Sequence, residues 1–226
     1  MKRIIFTGKS DKRDLLLFIC KALGEAGKRA LLVDLTDGGK YRYILGGGDS
    51  VLSVTEFCGF DICDGMLGEP VGCEYDFCLY DMETMHFGTR ELWSMADEAV
   101  WVTSFDRYEV ERTVEWFKQL FVRWPELQML ELWPVFIRTV DSSLKPEYIL
   151  SGMEGLPVRW SRDVLEIPWC ESNLTVQLEN EYRHILRMAR LSRPYKKALR
   201  VLLEELAGWT GKDARKTLRQ AERRRA

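Results

Sequence analysis

The apolar positions of this chain fall into short continuous runs separated by glycines and carboxylates. Lys2-Arg-Ile-Ile-Phe-Thr-Gly8 is an apolar run that stops at a glycine. Leu15 to Ala26 is apolar almost all round, and Gly27-Lys28-Arg29 breaks it. Ala30-Leu-Leu-Val-Asp34 is a second run, closing on a carboxylate. Runs without strict alternation suit strands covered on both faces, as in a parallel sheet. The first forty residues therefore predict a strand, a tight loop, a buried helix and a second parallel strand. Ligands of open parallel sheets bind beyond the carboxyl ends of the strands. That places Gly8–Asp14 and Asp34–Gly39 at the expected site.

Further runs repeat the pattern. Tyr75-Asp-Phe-Cys-Leu-Tyr-Asp81 reads as a buried strand ending in a carboxylate, and Ala96 to Asp106 as another strand with its exit loop. Tyr108 to Arg123 carries Val110, Val114, Phe117, Leu120 and Phe121 at helical spacing. Val135 to Val140 is the next strand. Val164 to Trp169 ends one more strand in an Ile-Pro turn, and Glu179–Leu191 and Pro194–Ala207 close the chain as helices. Val51–Val54 and Phe60–Ile62 read as short strand or helix ends. Gly38-Gly39 and Gly46-Gly47-Gly48 predict mobile loops around Tyr41. The sum is a doubly wound, mostly parallel α/β sheet with helices on both faces, over residues 1–207. Residues 208–226 are expected as a basic tail.

These motifs, in this order, resemble the MinD/ParA-type ATPases, the deviant Walker A (SIMIBI) class of P-loop proteins. Their phosphate loop runs Lys-Gly-Gly-Val-Gly-Lys-Thr, and their second strand ends in Asp after a Gly-Lys-Arg/Lys turn. Here the aligned loop is Thr7-Gly8-Lys9-Ser10-Asp11-Lys12-Arg13. Lys12 matches the phosphate-binding lysine and Gly8 one glycine. The signature lysine is Thr7, two glycines are Lys9 and Asp11, and the magnesium-ligating hydroxyl is Arg13. Asp81 falls at the Walker B position, where the family's aspartate holds a magnesium-bound water. The family's water-orienting carboxylate falls at Thr36, with Asp37 one residue away. Arg138 or its neighbours stand where the family commonly carries an adenine-reading asparagine. The resemblance thus implies a vestigial nucleotide site of Gly8, Lys9, Ser10, Asp11, Lys12, Arg13, Asp34, Asp37 and Asp81.

The altered loop changes the chemistry to be expected. Glycines let a loop backbone approach phosphates with its N–H groups turned inward. Side chains at Lys9 and Asp11 constrain that approach, and Asp11 adds an anion. At ~4 Å and an effective dielectric of ~20, two like charges repel by about 4 kcal/mol, a loss of about three decades in affinity if nothing offsets it. Lys9, Lys12 and Arg13 offset part of it. Ser10, Asp11 or Asp14 can also cap the helix that follows. The expectation is a fold held without ATP or magnesium and with negligible ATPase activity. A divergent ATPase with a monomer–dimer switch is the alternative.

Composition adds bounds. With 226 residues, 46% of them hydrophobic and 30% charged, the chain suits one soluble α/β domain. No signal peptide and no bilayer-length apolar segment is read, so a cytoplasmic location is expected. The net charge of -2 is asymmetric: residues 183–226 carry a balance of +10 and the rest -12. A basic tail on an acidic body suits DNA, an anionic membrane or an acidic partner, or is a solvated helix. Cys58/Cys63 and Cys73/Cys78 lack common zinc spacing, and a disulfide framework is not expected. His86 and His184 are too far apart in sequence to suggest a ligand pair. The tryptophans, Trp169 included, read as core or interface bodies.

Members of the family with eroded loops resemble the TadZ/CpaE proteins that position pilus machinery, and others act in flagellar or cellulose-secretion positioning. The resemblance implies a non-catalytic scaffold or localisation factor with protein partners, homodimerisation, and a position at the membrane or cell pole.

Overall fold

The computed structural model describes residues 1–47, 54–65, 74–85, 89–127 and 129–224. Gly48, Val51, Cys73 and His86, named above, lie outside the described residues.

The strands form where the apolar runs predict them. β1 (Lys2–Thr7), β2 (Ala30–Leu35), β5 (Phe77–Met82), β6 (Glu98–Thr103) and β7 (Leu130–Thr139) make the centre of the sheet. β4 (Phe60–Asp64) and the antiparallel β3 (Val54–Phe57) extend one edge, and β8 (Val158–Trp160) and β9 (Leu165–Pro168) share the other. The order is β3-β4-β2-β5-β1-β6-β7-β8, with β9 also on β7. β8 pairs with the first part of β7 and β9 with the last, both parallel. All other described pairings except β3–β4 are parallel. The β3–β4 connection is the two-residue Cys58-Gly59, both at positive φ, the geometry of a tight hairpin.

Two cores follow from the two faces. Ile4, Phe6, Leu32, Leu79, Val102 and Val135 point to a face covered by α1 (Arg13–Glu25), α5 (Glu171–Arg183), α6 (Arg193–Ala207) and α7 (Gly211–Arg223). Ile5, Leu31, Val33, Cys78, Trp101 and Phe136 point to the face under α2 (Arg90–Met95), α3 (Arg107–Arg123) and α4 (Pro146–Ser151). Successive side chains of a strand alternate between faces. A strand apolar on both sides therefore feeds both cores, which is why the runs are continuous. The doubly wound α/β class read from the sequence is the observed fold.

Several expectations need correction. The segment Glu179–Leu191 is not one helix: α5 runs Glu171–Arg183 and ends at left-handed His184 (φ 51°). The loop expected to be mobile around Tyr41 contains a 3-10 turn, Lys40–Tyr43, and Tyr41 itself is buried. Trp169, read as a core or interface body, is 53% exposed and so is not a core residue. The tail expected from residue 208 is α7, a packed helix. Thr210 caps it by accepting from Asp213 N at 3.2 Å. Ala214, Leu218 and Ala221 are buried in the core that also holds α1 and α6. Three apolar residues suffice because they share one face.

Candidate functional site: a charge-filled loop at the carboxyl edge

β1, β2, β5, β6, β7 and β9 all end at one edge of the sheet, and the loops leaving them converge there. Gly8 leaves β1 at φ 128°, and a Cβ on it would lie 2.1 Å from Val102 O. Close contact with β6 requires this glycine whatever the loop binds.

From Lys9 to Arg13 each side chain has a protein partner. Lys9 Nζ donates to Glu83 O at 2.5 Å. Burial pulls the Lys9 amine below the usual lysine range, while the nearby Glu83 charge offsets part of that. Buried Ser10 donates to the carboxylate of Glu109, which also accepts from Ser104 at 2.6 Å. Asp11 accepts from Arg13 twice through the side chain, at 2.9 and 2.8 Å, and once from the Arg13 amide at 3.2 Å. Burial opposes ionisation of Asp11, but the Arg13 bonds and charge outweigh it and hold the carboxyl at about 2. Arg13 also pairs with Glu181 of α5 at 3.2 Å, and Arg138 donates to Asp11 O at 3.0 Å. The cap of α1 is therefore not a conventional N-cap side chain. Lys12 occupies that position without a side-chain bond to the helix, and Asp11 takes the first amide instead.

Lys12 is fully buried, and its ammonium lies 2.6 Å from Asp81 Oδ1 and 3.9 Å from Glu83. It also donates to Gly8 O at 3.0 Å. The other Asp81 oxygen accepts from the Tyr41 hydroxyl at 2.7 Å. Burial pushes the Asp81 carboxyl up, and Lys12 and Tyr41 pull it back. Burial and the Asp81 charge push the Tyr41 phenol well above its ordinary value. Lys40 closes the far side on Glu83 at 2.6 Å. Three ammonium groups (Lys9, Lys12, Lys40) thus face the acidic groups of Asp81 and Glu83 and, one turn away, Asp34. The cluster holds no surplus positive charge.

The remaining sequence-named residues divide. Asp34 is buried and organises its own turn, accepting from Thr36 N at 3.0 Å, the Thr36 hydroxyl at 2.5 Å and Tyr41 N at 2.9 Å. Thr36 is consumed by that contact. Asp37 has an exposed side chain whose charge reaches Lys9, and its amide lies 3.4 Å from Glu83 Oε2. Sequence reasoning passed over Tyr41, Glu83 and Glu109. Tyr41 sits among polar residues and glycines, and Glu83 and Glu109 are acids in loop or helix contexts that usually mean solvent.

Beside the loop, a cleft of ≈ 340 Å³ opens between the ends of β7 and β9 and helices α5 and α6. Half-buried Asp14 and buried Tyr195 form its polar wall, bonded at 2.8 Å, and Arg138 and Trp169 flank the mouth. Arg138 reaches the mouth because it sits in the left-handed region (φ 55°) at a β-bulge in β7. Burial raises the Asp14 carboxyl, and the Tyr195 bond offsets part of that. Among the described residues no group of three or more His, Cys, Asp or Glu side chains is placed to hold a metal ion. No described helix is long and apolar enough to cross a membrane.

The strand order, the loop between β1 and α1, and the carboxylate ending β5 define an α/β protein of the MinD/ParA-type fold. The MinD chain of the Aquifex aeolicus MinC:MinD cell division complex is 15% identical, with 99% of this chain and 95% of that one covered at a TM-score of 0.58. A putative plasmid partition protein from Borrelia burgdorferi, solved bound to AMPPNP, is 11% identical over 91% of this chain and 100% of that one, with a TM-score of 0.57. A ParA family ATPase from Chlorobium tepidum is 14% identical, with 97% of each chain covered and a TM-score of 0.55. No protein-family model and no curated protein matches the sequence.

Proposed function

We propose that this protein keeps the MinD/ParA-type architecture without nucleotide turnover, and works as a scaffold or localisation factor for a cell-envelope, pilus or flagellar machine. The observation that carries the reading is Lys12, whose ammonium is buried against Asp81 and Gly8 O. A triphosphate would have to break that pair and leave the Asp81 carboxylate buried beside the new anion. The other residues do not fit a magnesium nucleotide either. Position 13 offers a guanidinium bound to Asp11 in place of a hydroxyl. The first amide of α1 already meets a carboxylate, where a phosphate-binding helix leaves it open.

What the carboxyl edge offers instead is apolar surface. Tyr43 follows β2, Tyr108 opens α3, Val140, Leu144 and Tyr148 follow β7, and Trp169, Leu174, Leu178 and Tyr182 follow β9, all exposed. Apolar side chains gathered on one side of a molecule suit protein docking. The Aquifex MinD chain is solved in complex with MinC, and a protein partner is the expectation taken over from it. The test is calorimetry and phosphate release with magnesium ATP on the wild type and on a repaired loop carrying Lys9→Gly, Asp11→Gly and Arg13→Thr. The reading expects no binding at micromolar ATP in the wild type and a gain in the repaired loop. Magnesium-dependent turnover by the wild type, abolished by Asp81→Ala, would overturn it.

One observation favours an additional polyanion surface. Lys212, Arg215, Lys216, Arg219 and Arg223 are exposed on α7 and, with Arg200, line a groove of ≈ 1060 Å³. The apolar face of α7 is buried in the protein, so none of it is left to enter a bilayer. Binding of DNA or anionic lipid here is electrostatic and weakens steeply with salt. Fluorescence anisotropy of a labelled duplex at two salt concentrations, beside vesicle sedimentation, tests it.

A further inference from the structure

The cleft beside the loop holds groups that the scaffold reading does not use. Half-buried Cys170 lines it from the N-cap position of α5, with Sγ 3.2 Å from the Ser172 hydroxyl. That hydroxyl first, then the amides of Ser172 and Asn173 and the Ser192 hydroxyl, pull the thiol below its ordinary value against a small effect of burial. Burial pushes the thiols of Cys20, Cys58 and Cys63 the other way. The thiolate is the nucleophilic form of cysteine, and the first turn of a helix favours it. Two donors share the cleft. Asn173 is only 8% exposed, and its Oδ1 is held by Ser192 N at 2.8 Å. Its Nδ2 has no protein partner among the described residues, so the free half of this buried amide opens on the cleft that it lines. Arg138 gives one Nη to Asp11 O at 3.0 Å and keeps its Nε and other Nη without a protein partner among the described residues. A volume of ≈ 340 Å³ suits a small molecule.

We infer that Cys170 is a modification site that exchanges with a small disulfide bearing amino-acid ends, glutathione disulfide being the type, with a carboxylate of that molecule seated on Arg138 and Asn173 Nδ2. A guanidinium and an amide N–H pair suit a carboxylate. Asp14, in the same lining, suits the ammonium that an amino-acid end carries beside it. The step is a thiol–disulfide exchange. The Cys170 thiolate attacks one sulfur of the disulfide, a new S–S bond forms and the old one breaks. The electron pair leaves on the second sulfur, which takes up the proton that Cys170 had released. Cys170 is oxidised and the departing half is reduced, so the disulfide itself is the oxidant. The chain carries its own comparison in Cys58, which is half-buried like Cys170 but whose thiol is pushed up. The inference stands on the cleft alone and goes beyond the scaffold reading.

Peptide mass spectrometry of the full chain tests it, after incubation with glutathione disulfide or with the uncharged bis(2-hydroxyethyl) disulfide. The expected result is a glutathionyl group that appears on Cys170 about tenfold or more faster than on Cys58 and that dithiothreitol removes. Arg138→Asn puts a residue at ease in the left-handed region there. It slows glutathionylation of Cys170 about tenfold and leaves the hydroxyethyl reaction unchanged, with thermal unfolding as the check on the fold. In the wild type, S-methylglutathione has the same ends and no disulfide, and at millimolar concentration it protects Cys170 from iodoacetamide. Equal rates at Cys170 and Cys58 overturn the inference. So does an Arg138→Asn variant that slows both disulfides alike or neither, or a Cys170 that S-methylglutathione leaves unprotected. Selective glutathionylation in a chain that nonetheless hydrolyses ATP leaves the inference standing and refutes the non-catalytic reading alone.

Discussion

If Lys12 is a structural ion rather than a phosphate ligand, its removal should unfold the protein more readily. In Lys12→Met the side chain keeps its length and loses its charge. Three contacts go, the ion pair to Asp81 at 2.6 Å, the longer pair to Glu83 at 3.9 Å and the bond to Gly8 O at 3.0 Å. Both Lys12 and Asp81 have fully buried side chains, so water cannot take over. Removing one partner of such a pair costs about 3–5 kcal/mol, because the other charge is left buried and uncompensated. With a urea m-value of about 3 kcal/mol/M, the unfolding midpoint falls by about 1 M or more. The deficit also has a pH signature. Without Lys12 the Asp81 carboxyl titrates higher in the folded state than in the unfolded chain, so the folded state binds the extra proton and the variant loses stability as pH rises. The deficit is therefore smaller at pH 5 than at pH 8. Lys12→Met with Asp81→Leu removes both charges and regains most of the loss. Equilibrium urea unfolding followed by circular dichroism reads all three quantities. A cost below about 1 kcal/mol for Lys12→Met, or a double variant no better than the single, would refute the reasoning.

Three further outcomes follow from the same contacts. Gly8→Ala drives a Cβ to 2.1 Å from Val102 O at a positive φ and costs about 3 kcal/mol or more in urea unfolding, whereas Gly38→Ala, with open space around it, costs only its backbone strain. Tyr195→Phe removes the side-chain bond to the half-buried Asp14 carboxyl and costs about 1 kcal/mol. Asp11, held at about 2 by Arg13 against its burial, contributes stability that is complete above the unfolded carboxylate pKa of about 4 and is lost as pH falls through 2. Asp11→Asn removes that part of the acid transition, seen by following unfolding between pH 5 and pH 2.

The central strands were legible because burial on two faces leaves a plain mark, an apolar run closed by glycine or aspartate. β1, β2, β5 and β6 lie where those runs are, and α3 follows its helical spacing. α5 was misplaced because its exposed leucines and buried asparagines reverse the signal that periodicity relies on. α7 escaped because a helix packed through Ala214, Leu218 and Ala221 looks like a charged tail when most of its other residues are charged or polar. In the site, the loop positions were readable from motif order, and Lys12, Asp81, Asp11 and Arg13 do converge. Their partners were not readable. Tyr41 reaches Asp81 from forty residues away, and Glu109 reaches Ser10 from ninety-nine. Such contacts are set by the sheet order and leave no local trace.

The most direct test of the filled loop is the Lys12 ammonium itself, observed by nitrogen-15 NMR of the lysine side chains and assigned through Lys12→Met. The account predicts a slowly exchanging, buried ammonium signal that does not move when millimolar magnesium ATP is added. A Lys12 signal that exchanges rapidly with water, or that shifts on addition of the nucleotide, would contradict it.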